Sequence, residues 1–329
     1  IRNRADLDDQ AANFDFYGVR LALAADVGST LFRTRLIAVQ LAEAKDGLRI
    51  ARDLASTATL GQAHGLVAGQ DVARLQTNVA ASEAELSRLN AELRNSKRSL
   101  LILTGTPDAP TSGLVIDALL ANPPALPAQV PAQLLARRPD ILSAELAVQS
   151  AAQSVKISRL ALFPQLTLQP GVGITAIASP AGTTGFWSLA AGLTMPVLDR
   201  PKLLASLRVS QARGVEAVIA YERSVQTGFG EAERALTSVA ADRERVEQLG
   251  RAAASARYAF DAASKGYQRG LTDLTTLVQV EQVWRQNRAA LSTARATLLT
   301  DSVSAIRALG GGWQADDPTM PPSLLPGKP

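Results

Sequence analysis

Two patterns of apolar and polar positions run along the chain, one with a period of seven residues and one with a period of two. The period of seven dominates. From Lys202 to Ser264 there is no proline, and at about 1.5 Å per residue a helix of that length would reach on the order of 90 Å. Apolar side chains recur at every seventh position, which predicts a left-handed supercoil with neighbouring helices. This stripe consists of Val218, Val225, Ala232, Val239, Val246, Ala253 and Phe260.

A second stripe of the same period starts after the segment "KGYQRG" and ends at "ALGGGW", where glycines supply a helix stop. Because a glycine-containing turn separates two long helical patterns, we expect the two helices to fold back as an antiparallel pair. An amphipathic helix lying on a globular core is the alternative, and the length of the pattern disfavours it. The second stripe consists of Leu277, Trp284, Leu291, Leu298 and Ala305.

The two halves of the chain resemble each other at a shift of 205 residues, which places "ARDLASTATLGQAHGL" at Ala51 on "ARYAFDAASKGYQRGL" at Ala256. Such self-similarity indicates a duplicated helical hairpin. Under this shift Ile1 corresponds to Ser206, so the first copy has no counterpart to the alternating segment described below. We expect that the gene has lost this segment of the first copy or that the chain is truncated at its N-terminus. The shift aligns Gly61 with Gly266, Gly65 with Gly270 and Gly105 with Gly310.

These patterns predict four segments. Residues 1–105 hold the helices of the first repeat without a strand pair, and residues 106–131 form a proline-rich linker. Residues 132–313 hold the second repeat, in which a strand pair at about 165–198 follows one helix and precedes the long helix pair. Residues 314–329 are expected to be a proline-rich disordered tail.

The period of two is confined to the segment from Phe163 to Pro196, where each of two strands has one apolar and one small, polar face. Each strand has about 10 or 11 residues, the span of a tilted transmembrane β-strand. Phe163, Phe186 and Trp187 are expected at the strand ends, as in an aromatic girdle. A soluble, half-buried hairpin shows the same alternation and remains the alternative. In a bilayer the outer edges of one hairpin would expose unpaired amides, so it must join others in a closed ring.

The strand positions divide by parity. The predicted lipid-facing positions are Leu166, Leu168, Val172, Ile174, Leu189, Leu193 and Met195. The predicted lumen-facing positions are Gln165, Thr167, Gln169, Thr175, Ser188 and Thr194.

Composition excludes several classes of function. The net charge of +4 arises from basic and acidic residues that alternate along helical faces, and no basic face with interleaved aromatics indicates a nucleic-acid partner. The sequence has no Cys and one His, His64, and it carries no metal-ligand, nucleophile or phosphate-loop motif. We therefore expect no enzyme activity, no catalytic residues, no cofactor and no metal.

Five short segments, in this order and spacing, resemble the TolC-like outer membrane efflux protein family, particularly its multidrug efflux outer membrane channel lipoprotein branch. They are "LLARRPDI" (134–141), "LALFPQLTL" (160–168), "TMPVLD" (194–199), "YQRGLTDL" (267–274) and "ALGGGW" (308–313). The resemblance covers about Leu21 to Trp313. It implies a mainly α fold with a β-hairpin, in which long antiparallel coiled-coil helices form an α-barrel and transmembrane β-barrel strands are contributed to a trimer.

The resemblance also implies a function. A homotrimer in the bacterial outer membrane, extending into the periplasm, would be the channel component of a tripartite efflux system. It would act with a periplasmic adaptor protein and an inner-membrane pump as a passive exit duct for drugs or other small molecules. The alternative from a different class is a soluble coiled-coil adaptor or structural spacer.

The resemblance places a periplasmic gate just after the turn at residues 267–270. Family members usually carry a leucine and then an aspartate there, and this chain has Thr275 and Gln279. A ring of carboxylates attracts cations, whereas a ring of glutamines presents only dipoles. Tyr267 and Arg269 resemble gate-stabilising positions. Two further candidates, Asp273 and Glu281, either supply charge to the gate or lie on a solvated outer face.

Overall fold

The computed structural model of the protein describes residues 2–127, 136–178 and 181–311, with the backbone alone at 176–178, 181 and 182. The predicted tail at 314–329 and the last part of the predicted linker lie outside the described residues. The elements are α1 (Arg2–Ala63), α2 (Gly69–Leu103), α3 (Pro139–Leu160), β1 (Gln165–Ala178), β2 (Ala181–Thr194), α4 (Arg200–Gln268) and α5 (Leu274–Ala308). The predicted mainly α fold with one β-hairpin is confirmed.

The described residues form two compact units. The hairpin unit comprises residues 2–16 and 139–227, and the helical unit comprises residues 17–127, 136–138 and 228–311. In the described part of the chain, no helix contains an apolar stretch long enough to cross a bilayer.

In the helical unit, the two predicted heptad stripes of α4 and α5 meet. Val239 packs with Leu298 and Ala305 in one buried cluster. Ala232 packs with Ala308 in the next cluster. Lower-numbered residues of α4 therefore contact higher-numbered residues of α5, which confirms the expected antiparallel pair.

Helices α1 and α2 form a second antiparallel pair in the same unit. Ile37 and Leu41 of α1 pack with Leu89 of α2. Nearer the turn between these helices, Ala58 packs with a cluster that includes Val278 of α5. Helix α5 thus contacts α1 as well as α4, and it buries two faces.

The repeat seen in the sequence is repeated in backbone geometry. Helices α2 and α5 each contain 35 residues, and their first and last residues are related by the same shift as the sequence. Among the described residues, glycines with positive φ occur at four positions, which form two repeat-related pairs: Gly65 (+73°) and Gly270 (+73°), and Gly105 (+77°) and Gly310 (+70°). Glycine populates this region without the steric cost that a Cβ imposes. Each ends a helix in a left-handed C-cap.

In the hairpin unit, β1 and β2 pair as antiparallel neighbours from Gln165 opposite Thr194 to Ala178 opposite Ala181. Each strand has 14 residues, so the prediction of 10 or 11 was too short. Residues 181–185 extend the ladder although they lack alternation of large apolar and polar side chains. Phe186 and Trp187 consequently lie in the middle of β2, and the prediction that they end the strand is wrong.

The predicted strand segment also extends too far at its other end. Met195 follows the last residue of β2, because Pro196 has no N–H to donate to a ladder.

Elsewhere in the hairpin unit, the helices contact one another through hydroxyl groups. Ser158 of α3 and Ser210 of α4 lie 2.8 Å apart at their Oγ atoms, and Ser150 Oγ donates to Asp8 of α1.

Candidate functional site

The strand register of the hairpin unit determines which side chains share a face. Leu166 lies opposite Leu193 and Leu168 opposite Ala191, whereas Gln165 lies opposite Thr194. Directly opposed residues of an antiparallel pair project to the same face. The predicted apolar positions of both strands therefore lie on one face, and the predicted polar positions lie on the other.

The apolar face of the hairpin is open. Its predicted members in the strands range from 63% exposed at Leu168 to 89% at Val172, and Met195 beyond β2 is 61% exposed. A soluble hairpin packed on its own helices would bury these side chains. The chain thus presents a row of large apolar groups that needs a cover from outside itself.

One aromatic residue departs from the alternation. Phe186 lies opposite Gly173 on the predominantly polar face. A Cβ at Gly173 would lie 2.5 Å from Phe186 Cζ, so glycine leaves the room that this ring occupies. Sequence parity did not identify this pair, because the register of the second strand was needed to see it.

In the helical unit, the turns after α1 and after α4 border a cleft of about 1110 Å³, which we call the turn cleft. It is lined by residues of both antiparallel pairs. Of the six gate candidates, Tyr267, Asp273 and Thr275 line the turn cleft, and Arg269, Gln279 and Glu281 do not. Thr275 and Gln279, the two positions of the implied constriction, are both exposed in the single chain.

Asp273 caps the N-terminus of α5. Its Oδ1 accepts a hydrogen bond from Thr276 N at 2.8 Å, and its Oδ2 accepts one from Thr276 Oγ1 at 2.8 Å. The hydrogen bond from the Thr276 backbone N–H lowers the pKa of Asp273, because it favours the ionised form. In the first repeat the same position is Ala68, which makes no side-chain cap.

The unequal caps give a matched pair of substitutions. Ala68→Asp is expected to raise the free energy of unfolding by about 0.5 to 1 kcal/mol, because a carboxylate at the N-cap can accept hydrogen bonds from N–H groups of the first turn of α2 and a methyl group cannot. Asp273→Ala should move the unfolding midpoint in the opposite direction. Both changes are measured by denaturant unfolding of the purified protein followed by circular dichroism at neutral pH.

The pH dependence distinguishes a cap from a general change in charge. Since the folded pKa of Asp273 is lowered, its stabilising contribution is present above the ordinary aspartate pKa of 3.8 and is lost as the pH falls through the folded value. The difference between wild type and Asp273→Ala should therefore shrink in acid. An undiminished difference would contradict this role.

Glu281 lies in the interior of the helical unit, 6% exposed. Its Oε1 lies 2.9 Å from Arg285 Nε, in an ion pair one turn apart on α5. Burial raises the pKa of Glu281, and the Arg285 guanidinium opposes the shift. Glu281 therefore does not lie on a solvated outer face, which was one of the two positions expected for it.

An aromatic and cationic cluster forms part of the wall of the turn cleft, which Arg257, Phe260 and Trp284 line. Trp284 stacks on Phe260 with ring centroids 4.9 Å apart. Above the indole lie the guanidinium groups of Arg257 at 4.8 Å and Arg288 at 5.6 Å. Arg288 also pairs with Glu43 of α1, at 3.2 Å. The sequence indicated that Trp284 is a heptad residue. It did not indicate which residues of other helices Trp284 and Arg288 contact.

Arg138 connects the "LLARRPDI" motif to two helices. It is 8% exposed. It donates to the Ala308 carbonyl at 2.9 Å and pairs with Glu231 at 2.8 Å. A Cβ at Gly228 would lie 3.1 Å from Arg138 Nε, so the guanidinium lies directly on α4. The motif was visible in the sequence, but the role of this side chain was not.

In the described residues, no group of three or more His, Asp or Glu side chains is arranged to hold a metal ion. The hairpin unit presents an apolar and a polar strand face. The helical unit presents hydrogen-bonding and charged side chains around the turn cleft.

Comparison with known proteins gives related sequences over most of the chain. The pyoverdine export outer membrane protein OpmQ of Pseudomonas putida is 32% identical over 314 residues, which are 94% of this chain and 66% of the relative. OpmQ of Pseudomonas aeruginosa is 28% identical over 93% of this chain and 65% of the relative. The cation efflux system protein CusC of Escherichia coli is 23% identical over 90% of this chain and 65% of the relative. The chain thus spans just under two thirds of the length of these relatives.

Solved structures share the fold. The outer-membrane channel OprN superposes with a TM-score of 0.83 at 26% identity, covering 94% of this chain and 71% of that one. The outer membrane protein VceC of Vibrio cholerae has a TM-score of 0.82 at 21% identity, covering 94% and 75% of the two chains, and shows the fold alone. OpmQ is named as an export protein, CusC as an efflux system protein and OprN as a channel. A family model described as "Outer membrane efflux protein" matches residues 130–311. Since this match covers more than half of the chain, the chain belongs to the outer membrane efflux protein family.

Proposed function

We propose that the protein is the outer membrane channel component of a tripartite efflux system, a passive exit duct across the periplasm and the outer membrane. The observation that carries this proposal is the hairpin with an exposed apolar face and an opposite polar face, joined in one chain to antiparallel heptad helices. Membership of the outer membrane efflux family and the names of the relatives support it.

The hairpin would reside in the outer membrane. Each strand pairs with the other and has one further edge without a partner among the described residues. In hydrocarbon such edges must be closed by other strands. We therefore propose a homotrimer whose copies contribute strands to one barrel, with the apolar positions toward lipid and the polar positions toward the lumen. The division into segments 1–105, 106–131, 132–313 and 314–329 remains part of this proposal.

The helices would continue the duct into the periplasm and meet a periplasmic adaptor protein and an inner-membrane pump. The cargo would be a small molecule. Relatives are named for export of pyoverdine, cations and toluene, and the two OpmQ proteins make pyoverdine-like compounds the first class to test.

The periplasmic gate would lie at the turn cleft. Thr275 and Gln279 are exposed on α5, so copies of these side chains would face one another around a threefold axis. Tyr267 and Arg269 would stabilise the closed state. Glu281, which is buried, would act through Arg285, and Asp273 would set the start of α5.

Reconstitution of the protein into planar lipid bilayers tests the proposal. We expect stepwise changes in conductance, because a trimer with a polar lumen passes ions. A soluble spacer would leave the bilayer current unchanged. Trimers confirmed by native mass spectrometry that give no conductance would contradict the channel.

The same recording tests the gate. Gln279→Asp should increase the preference for cations over anions, since it places a ring of carboxylates at the constriction. Gln282→Asp is the matched control, because Gln282 is exposed on another side of the same helix. Equal selectivity in the two variants would place the constriction elsewhere.

A further inference from the structure

Two carboxyl groups face each other between α4 and α5 in the helical unit. Asp242 Oδ2 is buried and has no hydrogen-bond partner within the described residues. Asp301 lies at the same level on α5, because Val239, one turn before Asp242, packs with Leu298 and Ala305, which flank Asp301, and the carboxyl groups of the two aspartates interact. Two ionised carboxylates are both acceptors, so a hydrogen bond between them requires that one carry a proton.

The surroundings of the pair are apolar. Val239 and Val246 lie one turn to either side of Asp242 on α4. Leu298 and Ala305 flank Asp301 in the same way on α5. These four residues belong to one hydrophobic cluster, together with Leu126. Asp242 and Asp301 are both half-buried, so a charge placed there loses part of its hydration.

The charged groups that act on Asp242 are few. Helix α5 contributes Asp301, and α4 contributes Arg245. The segment that leads from α2 toward α3 contributes the apolar Leu126 and the Pro124 carbonyl, which accepts a hydrogen bond from Arg243 at 3.3 Å. One cation against two acidic groups leaves an excess of negative charge when both carboxyl groups are ionised.

Burial raises the pKa of Asp242, and the hydrogen bond and charge of Asp301 raise it further, while Arg245 opposes the shift. A carboxyl group with a raised folded pKa gives stability that is fully present below its ordinary pKa of 3.8 and is lost as the pH rises through the folded value. The contact between α4 and α5 should therefore be tighter in mild acid than at neutral pH.

We propose that Asp242 and Asp301 share a proton and form a pH-dependent contact that holds α4 against α5 in acid and loosens when the proton leaves. The proposal rests on the packing of the helical unit and does not depend on the proposed function. In a duct built from such helices, this contact would make the movement of α4 relative to α5 sensitive to the acidity around it.

Asp242→Asn tests the shared proton. The asparagine N–H can donate to the Asp301 carboxylate at every pH, so the variant imitates the protonated pair. In detergent, the thermal unfolding midpoint of the wild type should rise as the pH falls from neutral to mildly acidic. The variant should have a higher midpoint than the wild type at neutral pH and a weaker pH dependence. Glu244→Gln, an exposed carboxyl change on the same helix, should retain the wild-type profile.

Infrared difference spectra between neutral and mildly acidic buffer detect the protonated carboxyl group directly. This measurement does not depend on the stability of the variants. The wild type should gain a carboxylic acid C=O band above the ordinary aspartate pKa that Asp242→Asn and Asp301→Asn each lack. Glu281→Gln, at the other carboxyl group whose pKa burial raises, should retain this band. Absence of the band in the wild type, or its survival in both aspartate variants, would overturn the proposal. So would a pH profile of Asp242→Asn that matches the wild type.

Discussion

Arg138→Ala is expected to lower the free energy of unfolding by about 2 to 4 kcal/mol. The substitution leaves the Ala308 carbonyl at the end of α5 without its buried donor, and it removes the ion pair with Glu231. It also opens a space beside Gly228 on α4. The change is measured as the shift in the denaturant midpoint of the helices, followed by circular dichroism in detergent.

The adjacent residue provides the control. Arg137 is exposed, so Arg137→Ala removes the same charge from the same turn and should change stability by no more than about 0.5 kcal/mol. Arg138→Lys should fall between the two alanine variants, because one ammonium group cannot reproduce the planar fork of the guanidinium. Equal effects of Arg137→Ala and Arg138→Ala would show that charge, and not the buried bonds, matters at this position.

Leu189→Arg is expected to destabilise the membrane-inserted protein by about 2 to 4 kcal/mol, because an arginine on the lipid face near mid-span must leave water. Leu189 lies near the middle of β2 on the apolar face, opposite Pro170. Its neighbour Ser188 lies on the polar face, opposite Gly171. Ser188→Arg should therefore insert normally. Heat resistance of the trimer in gel electrophoresis after outer membrane insertion measures the difference.

Conductance distinguishes the faces independently. Ser188→Arg should reduce the passage of cations relative to anions, since the new charge would stand in the lumen. If Leu189→Arg and Ser188→Arg insert and conduct alike, the assignment of lipid and lumen faces is wrong, whatever the fold of the helices.

The sequence predicted those parts of the fold that follow from local periodicity. Val239 and Leu298 belong to regular stripes and meet as expected. Gly65 and Gly270 stand where a left-handed turn needs them. Both results follow from constraints that act over a few residues, where spacing alone decides which face is buried.

The strand ends and the buried polar groups could not be predicted in this way. The segment that contains Gly182 and Gly185 shows no alternation of apolar and polar residues. The extension of β2 therefore depends on its pairing with β1. Glu281 is buried because α5 contacts two helices, whereas a single heptad stripe predicts one buried face. The partners of Arg138 and of Asp242 come from distant parts of the chain and required the three-dimensional arrangement.

The equal size of α2 and α5 constrains how such a protein can vary. Each has 35 residues, which is five whole heptads. Deleting or adding one residue would rotate everything beyond it by about 100° and pull the apolar stripe off its partner. A viable change in the length of the helices therefore comes in steps of one heptad, about 10.5 Å. The same change must be made in α1, α2, α4 and α5 at once. The distance between the membranes of the cell envelope and the length of these helices would then change together, in steps of one heptad.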